Sequence, residues 1–173
     1  MRPRAADLRL AGALILAASL LLAGCGFQLR GTASLPFESI YVPDSGGGIG
    51  LDLKRNVRSG TRTLVVDDPK AAQAVLEFGN EARTRNILSL SGGGRVRELQ
   101  LIYRIAVRVH DGKGAEYLPS TTLTSTRDLT YNDTDLLAKE TEEALIYREM
   151  QSDLVQQILR RLSAAQAASP VVR

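Results

Sequence analysis

The chain of 173 residues contains one cysteine, one histidine and no tryptophan, and only 5% of its residues are aromatic. A single cysteine excludes a disulfide within the chain, so the stability of the fold must come from packing. A structural zinc site needs several cysteine or histidine ligands, and a cysteine–histidine nucleophile needs both residues as a free pair. The sequence therefore predicts neither a metal site nor thiol catalysis.

Other patterns of catalysis are missing as well. The glycine-rich stretches 46–50 and 92–94 have neither the Gly-Lys-Ser/Thr ending of a phosphate loop nor the Gly-x-Gly-x-x-Gly spacing of a dinucleotide site, and they predict mobile turns instead. His110 lies at the mouth of a predicted hairpin, where we interpret it as a solvated strand-end residue. We therefore expect no enzyme activity and no cofactor.

The N-terminal residues have the pattern of a targeting signal. Three arginines precede an uncharged stretch at 10–22, which is the layout of a secretory signal and is shorter than the roughly 20 apolar residues of a permanent membrane helix. Leu22-Ala23-Gly24-Cys25 resembles the bacterial lipobox, in which the cysteine is acylated and becomes the first residue after cleavage. We therefore expect a signal peptide at 1–24 and a lipid anchor on Cys25, because two or three acyl chains hold a protein stably on a membrane.

Removing the signal changes the charge of the chain. The whole sequence carries 22 basic and 19 acidic side chains. Loss of three arginines and one aspartate leaves 19 against 18, or a net charge of +1, over 149 residues. That length suits a single domain, and the near-neutral charge gives no reason to expect nucleic acid as a partner.

The order of elements is predicted by hydrophobic periodicity. Strands are predicted at 39–42, 74–90, 99–109 and 117–131, with a short extended piece at 63–66. A first helix is predicted from the apolar spacing of Ile49, Leu53 and Val57, with Lys54 toward solvent and Gly60 as a cap. A second helix is predicted from apolar residues spaced four apart between Ile146 and Leu162, after capping residues at 132–135.

Two amphipathic helices and a sheet with one apolar face bury each other best as two layers. The sequence therefore predicts an α/β (α+β) two-layer sandwich, with two helices on one face of a mostly antiparallel four-stranded sheet. We expect the domain to occupy residues 38–163. A leader at 25–37 precedes it, and a flexible tail without structural signals follows at 164–173.

Basic residues cluster around one predicted turn. Arg83, Arg85, Arg95 and Arg97 flank the glycines 92–94, and Lys139 opens the last helix. Guanidinium groups at a loop tip suit bidentate binding of phosphate. Solvated surface charge explains the same pattern, and the two interpretations stay open at this point.

Several segments, taken in order, resemble the LptE (RlpB) family of lipopolysaccharide-assembly lipoproteins. The resemblance covers nearly the whole chain after the signal. The matching residues are Ala23-Gly24-Cys25-Gly26-Phe27-Gln28-Leu29-Arg30, Glu98-Leu99-Gln100-Leu101, Leu137-Ala138-Lys139-Glu140, Arg148-Glu149-Met150 and Gln157-Ile158-Leu159-Arg160-Arg161-Leu162.

The resemblance implies a fold of two helices against a four-stranded sheet. It also implies an outer-membrane lipoprotein that plugs the LptD β-barrel, helps to assemble it, and takes part in delivering lipopolysaccharide to the outer leaflet. The domain would lie in the barrel lumen or face the periplasm. Gly26 agrees with outer-membrane localisation, since the position after the cysteine lacks the aspartate that retains lipoproteins at the inner membrane of enteric bacteria.

The resemblance also suggests site residues. Lys139 matches a family lysine implicated in contacting lipopolysaccharide, whereas the family's arginine at the hairpin tip is replaced by Gly92. Arg95 or Arg97 is the nearest substitute, which gives a predicted lipopolysaccharide site of Lys139, Arg95 and Arg97. The alternative functions are an envelope lipoprotein that binds another ligand and a purely structural tether.

Overall fold

A computed structural model of the chain describes residues 34–44, 48–131, 136–165 and 169–170. The predicted signal peptide, the lipidation site Cys25 and most of the predicted leader lie outside the described residues, as do the predicted capping residues 132–135. None of the described helices is long and apolar enough to cross a membrane.

The chain forms strand, helix, a meander of three long strands, and a second helix, in the predicted order. A short strand follows the first helix, and another follows the second. The elements are β1 (Ser39–Tyr41), α1 (Ile49–Gly60), β2 (Leu64–Val66), β3 (Ala74–Leu90), β4 (Val96–His110), β5 (Ala115–Thr130), α2 (Leu136–Ala164) and β6 (Ser169–Pro170).

The sheet has six strands in the order β2-β1-β3-β4-β5-β6. β1 runs parallel to both β2 and β3, and the other pairings are antiparallel. The prediction of four strands was therefore wrong by two. β2 has three residues and lies within the predicted extended piece at 63–66, which the prediction of four strands did not count. β6 has two residues, too few for the alternation that identifies a strand in a sequence, and its pairing with β5 defines it.

The long meander confirms the predicted alternation. Along β4, Leu101, Tyr103 and Ile105 are fully buried on the face that packs against the helices, while Arg104 and Arg108 are exposed on the other face. An antiparallel sheet with one covered face produces this pattern. Burial of each large apolar side chain contributes about 1.5–3 kcal/mol, so β4 supplies much of the core.

Both helices contribute one buried stripe to the same core. The α1 stripe is Ile49, Leu53 and Val57, and the α2 stripe is Met150, Leu154, Ile158 and Leu162, all with no exposed surface. Two hydrogen bonds join the helices: Gln151 Nε2 donates to Asp52 Oδ2 at 2.6 Å, and Gln156 Nε2 donates to Asn56 Oδ1 at 3.2 Å. The two helices therefore form one layer, which confirms the predicted two-layer architecture.

Two details of α1 differ from the predictions. Lys54 is buried rather than solvated, because its ammonium group lies 2.7 Å from Asp44 Oδ1 in the connection that precedes the helix. Gly60 is the last helical residue, and Thr61 is the cap, with its backbone N–H bound to the carbonyl of Val57. The apolar stripe nevertheless has the predicted phase.

Candidate functional site

The start of α2 and the β3–β4 turn lie at the same end of the sheet. Thr130, the last residue of β5, pairs with Glu98 near the beginning of β4, and the N–H of Tyr131 donates to the carbonyl of Arg97 at 2.7 Å. β5 therefore ends beside the 91–95 turn, and the contact between Arg85 of β3 and Glu143 of α2 places the first turns of α2 at the same end. This arrangement brings the three predicted site residues, Lys139, Arg95 and Arg97, to one end of the molecule.

Lys139 is already paired within its own helix. Its ammonium group lies 2.7 Å from Glu142 Oε2, one turn further along α2, and its side chain is 20% exposed. Glu142 is the more accessible partner, with 48% of its side chain exposed. The positive charge of Lys139 is therefore balanced by Glu142, whereas Arg95 and Arg97 have no carboxylate partner among the described residues.

A hydrogen-bonded turn holds Arg95 at the hairpin tip. Gly94 has φ +76°, a conformation that costs other residues energy, and its N–H donates to the carbonyl of Ser91 at 2.9 Å. The N–H of Ser91 donates to the carbonyl of Arg95 at 2.7 Å, and the N–H of Arg95 donates to Ser91 Oγ at 3.1 Å. Arg95 and Arg97 are both exposed, and neither has an ion pair among the described residues.

A β-bulge in β3, which the sequence did not predict, decides where the other two arginines lie. Gly79 pairs with Ala106 and Ala82 with Arg104, so Asn80 and Glu81 together lie opposite one β4 residue. Asn80 has φ +33°, in the left-handed region that asparagine tolerates better than most residues. One extra residue reverses the side-chain alternation of a strand.

Between the bulge and the next register shift after Ile87, the odd-numbered β3 residues lie on the helix-covered face. Arg83 pairs with Tyr103, and Arg85 pairs with Leu101. Before the bulge, Leu76 and Phe78 on even positions pair with Val109 and Val107 of the same β4 face. Both arginines are therefore directed toward α2, although they flank the same turn as Arg95 and Arg97 in the sequence.

Arg83 is held by two tyrosine rings. Its guanidinium carbon lies 4.6 Å from the centroid of the Tyr103 ring and 5.5 Å from that of Tyr147, within the range of a cation–π interaction. Its Nη2 also donates to the Tyr103 hydroxyl and to Gln151 Oε1, both at 3.3 Å. Arg83 thus fastens β3 to α2 and serves the fold.

The Tyr103 hydroxyl completes this network by donating to Glu81 Oε1 at 2.6 Å. Burial of the ring and the hydrogen bond to Glu81 raise the pKa of Tyr103 to about 12. Burial also raises the pKa of Tyr147, with the nearby Glu143 carboxylate adding to the effect. Both hydroxyls are therefore protonated at neutral pH and act as hydrogen-bond donors.

An open groove of about 520 Å³ lies between β3 and the first turns of α2. Its charged lining comprises Arg83, Arg85, Arg148, Glu140 and Glu143. Arg85 Nε lies 3.2 Å from Glu143 Oε1, and the Tyr147 hydroxyl donates to the carbonyl of Thr84 at 3.2 Å. Because Arg83 and Arg85 are occupied by these contacts, Arg95 and Arg97 are the available cations of the four that flank the turn.

His110 lies at the opposite end of the sheet, at the close of β4. Its Nδ1 accepts the N–H of Gly112 at 2.9 Å, its Nε2 lies 3.3 Å from Glu77 Oε1, and its side chain is only 18% exposed. The interpretation of His110 as a solvated residue was therefore wrong, although it does lie at a strand end. Among the described residues, no group of three or more histidine, cysteine or acidic side chains is placed to hold a metal ion.

The chain matches the family model described as LptE, lipopolysaccharide-assembly, over residues 36–162. It is 31% identical over 150 residues to the LPS-assembly lipoprotein LptE of Pectobacterium atrosepticum, covering 84% of this chain and 80% of that protein. The protein of the same name from Photorhabdus laumondii is 29% identical over 151 residues, with the same coverage of the two chains.

Two solved structures show the same fold. Lipoprotein B of Nitrosomonas europaea, solved by NMR in solution, is 42% identical with a TM-score of 0.69, covering 80% of this chain and 91% of that one. The rare lipoprotein B of Shewanella oneidensis, a crystal structure, is 26% identical with a TM-score of 0.61, covering 73% and 92%. The family model spans the fold from the approach to β1 to the last buried turn of α2, and the chain therefore belongs to the LptE family of lipopolysaccharide-assembly lipoproteins.

Proposed function

We propose that this member of the LptE family is an outer-membrane lipoprotein, acylated at Cys25, whose domain plugs the barrel of an LptD homologue. In this role it supports assembly of the barrel and takes part in delivering lipopolysaccharide to the outer leaflet. The observation that carries the proposal is the family match over residues 36–162, which includes nearly every buried residue of the described core. The proposal assigns no chemical reaction to the chain.

The size and charge of the domain support a role as a plug. A folded chain of 149 residues has a radius of gyration of about 15 Å. A globule of that size needs a barrel wider than an ordinary porin, toward the ~26-strand end of the known range. A net charge of +1 after loss of the signal suits a polar lumen, because it imposes no strong field of either sign.

Co-purification tests this role. Full-length protein, extracted from outer membranes in mild detergent through an affinity tag, should retain an LptD homologue in a stable complex. Recovery of the chain alone would contradict the plug function and favour an envelope lipoprotein that binds another ligand or acts as a tether. Mass spectrometry of the mature N-terminus should show acylated Cys25, and an unmodified N-terminus at another residue would refute the anchor.

Within this function, we propose that Lys139, with Arg95 or Arg97, binds the phosphates of lipopolysaccharide. The half-exposed Glu142 carboxylate is the present partner of Lys139, so a phosphate would compete with it for the ammonium group. Each charge-assisted hydrogen bond contributes about 1.5–3 kcal/mol before solvent screening, and exposure at the hairpin tip reduces that amount. Several such contacts are therefore needed for useful affinity.

Charge reversal tests the phosphate site. Lys139→Asp with Arg95→Asp should weaken binding of lipopolysaccharide and leave the melting temperature and the complex with the LptD homologue nearly intact. Lys113→Asp is a matched control, because Lys113 is an exposed cation in the β4–β5 turn at the other end of the sheet. Unchanged binding would mean that the charges are ordinary solvated residues, and loss of the fold or complex would mean that they are structural.

A further inference from the structure

Over the middle of β3, β4 and β5, one face of the sheet is covered by neither helix. Both helices pack on the opposite face, where Leu101, Tyr103 and Ile105 of β4 are buried. The β4 residues that alternate with these lie on the other side, together with their cross-strand partners. We call this surface the uncovered face, and its centre consists of Ala82, Thr84, Ile102, Arg104, Thr124 and Thr126.

Arg104 lies in the middle of the uncovered face. It pairs across the sheet with Ala82 on β3 and with Thr124 on β5, and neither neighbour carries a charge. Its side chain is exposed, and within the described residues its guanidinium group has no ion pair and no hydrogen bond. A guanidinium group is always charged and has five N–H donors, so Arg104 offers an unused group for binding an anion.

At one end of the uncovered face, the charges neutralise one another. Arg108 Nη1 lies 3.6 Å from Glu77 Oε2, and Arg108 Nη2 lies 2.6 Å from Glu116 Oε1. His110 Nε2 lies 3.3 Å from the other oxygen of Glu77. Arg108 is four residues from Arg104 along β4, or about 13 Å, so its two carboxylate partners are not available to Arg104.

At the other end, the carboxylates are also occupied. Asp128 Oδ1 accepts a hydrogen bond from Gln100 Nε2 at 3.4 Å. Glu98 Oε2 accepts one from the Ser89 hydroxyl at 2.9 Å. Gln100 is again four residues from Arg104, or about 13 Å along the strand. The positions of the charges on three strands, rather than the rotamer of one side chain, therefore leave Arg104 without a partner.

The surroundings of Arg104 suit a polar partner rather than an acyl chain. Ile102, the large apolar residue at the centre of the uncovered face, is only 7% exposed and does not belong to the helix-covered core. Its cross-strand partners are Thr84 and Thr126, whose hydroxyl groups both donate and accept hydrogen bonds. The uncovered face is therefore a polar sheet surface with one unpaired positive charge.

The inner wall of an outer-membrane barrel has the chemistry that complements this face. Such a wall is built of strands, and its lumen-facing side chains are polar. Two sheet surfaces pack face to face at about 10 Å, a spacing at which the side chains of both surfaces meet. A carboxylate on the wall would give Arg104 the partner that the domain lacks, in a bidentate pair of charge-assisted hydrogen bonds.

We propose that the uncovered face lies against the inner wall of the barrel and that Arg104 binds a carboxylate of that wall. This inference rests on the proposed function, in which the domain occupies the barrel. It adds the surface and the residue through which the domain contacts the wall. The complex then depends on a cation that has no partner in the described fold, so substitution of Arg104 separates binding from stability.

The first experiment measures release of the chain from a purified complex. Tagged full-length protein is co-expressed with the LptD homologue, and the complex is purified in dodecyl maltoside. An excess of wild-type chain with a second tag is added at a temperature at which wild-type release is measurable, and loss of the first tag is followed. The variants are Arg104→Glu and Arg104→Lys. The matched control is Arg148→Glu, which reverses an exposed cation on α2 without an ion pair among the described residues.

Arg104→Glu should speed release by about tenfold or more, because loss of one member of a desolvated charge pair acts mainly on dissociation. Arg104→Lys should release at an intermediate rate, since an ammonium group keeps the charge without the bidentate geometry. Arg148→Glu should release like the wild type. The free chains of all three variants should melt at the wild-type temperature.

A second experiment identifies what lies on the uncovered face. The photoreactive residue p-benzoylphenylalanine in place of Thr124, beside Arg104, should cross-link in cells to lumen-facing residues of the LptD homologue, as identified by mass spectrometry. Cross-linking to a second copy of the chain would instead make this face a dimer interface and overturn the inference.

Other outcomes would refute the inference and leave the proposed function standing. Unchanged release of Arg104→Glu from an intact complex would exclude the charge pair, and equal acceleration by Arg148→Glu would show a general effect of charge. A lower melting temperature of Arg104→Glu would make Arg104 a residue of the fold. By contrast, failure of the wild-type chain to co-purify with the LptD homologue would refute the proposed function itself.

Discussion

Replacing Leu154 by alanine tests the packing of α2 on the sheet. Leu154 has no exposed surface and belongs to the same core cluster as Leu101, Tyr103 and Ile105. Leu→Ala in a closed core costs about 2.7–5.0 kcal/mol, because the transfer free energy is lost and a cavity is left behind. We expect about 3 kcal/mol here, or a melting temperature lower by roughly 6–12 °C for a domain of this size.

The assay is thermal unfolding followed by far-ultraviolet circular dichroism. Leu145→Ala makes the same chemical change in the same helix at a side chain that is 49% exposed, and Gln157→Ala changes a partly exposed polar residue. Each should alter stability by no more than about 0.5 kcal/mol. Equal effects of Leu154→Ala and Leu145→Ala would show that the phase of α2 is wrong, and the core described above would be refuted.

Three further predictions concern the hydroxyl network, the hairpin turn and the domain boundary. The pKa of Tyr103 rises from 10.0 in the unfolded chain to about 12 in the fold. The stabilisation from the protonated hydroxyl is therefore complete below pH 10 and is lost as the pH rises toward 12. Tyr103→Phe should therefore reduce the fall in unfolding free energy between pH 10 and pH 12. In denaturant titrations, Gly94→Ala should lower the unfolding free energy by about 1–2 kcal/mol, because Gly94 has a φ of +76°. Gly92→Ala should leave the unfolding free energy nearly unchanged, because no atom lies near the added methyl group. A chain that begins at Gly26 should fold and stay soluble, since the described core begins at Leu35, and aggregation in size-exclusion chromatography would count against a self-sufficient domain.

Periodicity was sufficient to predict the elements that bury many residues. β3 has the predicted bounds of 74–90, and β4 and α2 contain the predicted apolar series from Leu99 to Val109 and from Ile146 to Leu162. Each of these series spans several repeats, which distinguishes it from chance alternation. β2 lies within the extended piece predicted at 63–66, but its place in the sheet is defined by its pairing with β1, and β6 has too few residues to show any period.

The candidate site was predictable in its position and less so in its contacts. The meander places the 91–95 turn and the start of α2 at one end, as the order of strands indicates. The separation of Arg83 and Arg85 from Arg95 and Arg97 was not predictable, because it depends on a single extra residue in β3. Asn80 was the available signal, since asparagine tolerates positive φ, but a lone asparagine in a strand is a weak indicator. Burial of Lys54 likewise depends on a contact with Asp44 across a glycine-rich connection.

The bulge at Asn80 and Glu81 also has a consequence for how sequences of this family diverge. Removal of one of these two residues would make the pairing regular at this point and still leave Ala82 opposite Arg104 and Arg83 opposite Tyr103. A one-residue deletion here is therefore absorbed locally, without moving the hairpin tip. Relatives that differ in length by one residue within β3 should be aligned with the gap at 80–81. A gap placed in the 91–95 turn would instead equate arginines that occupy different places in the fold.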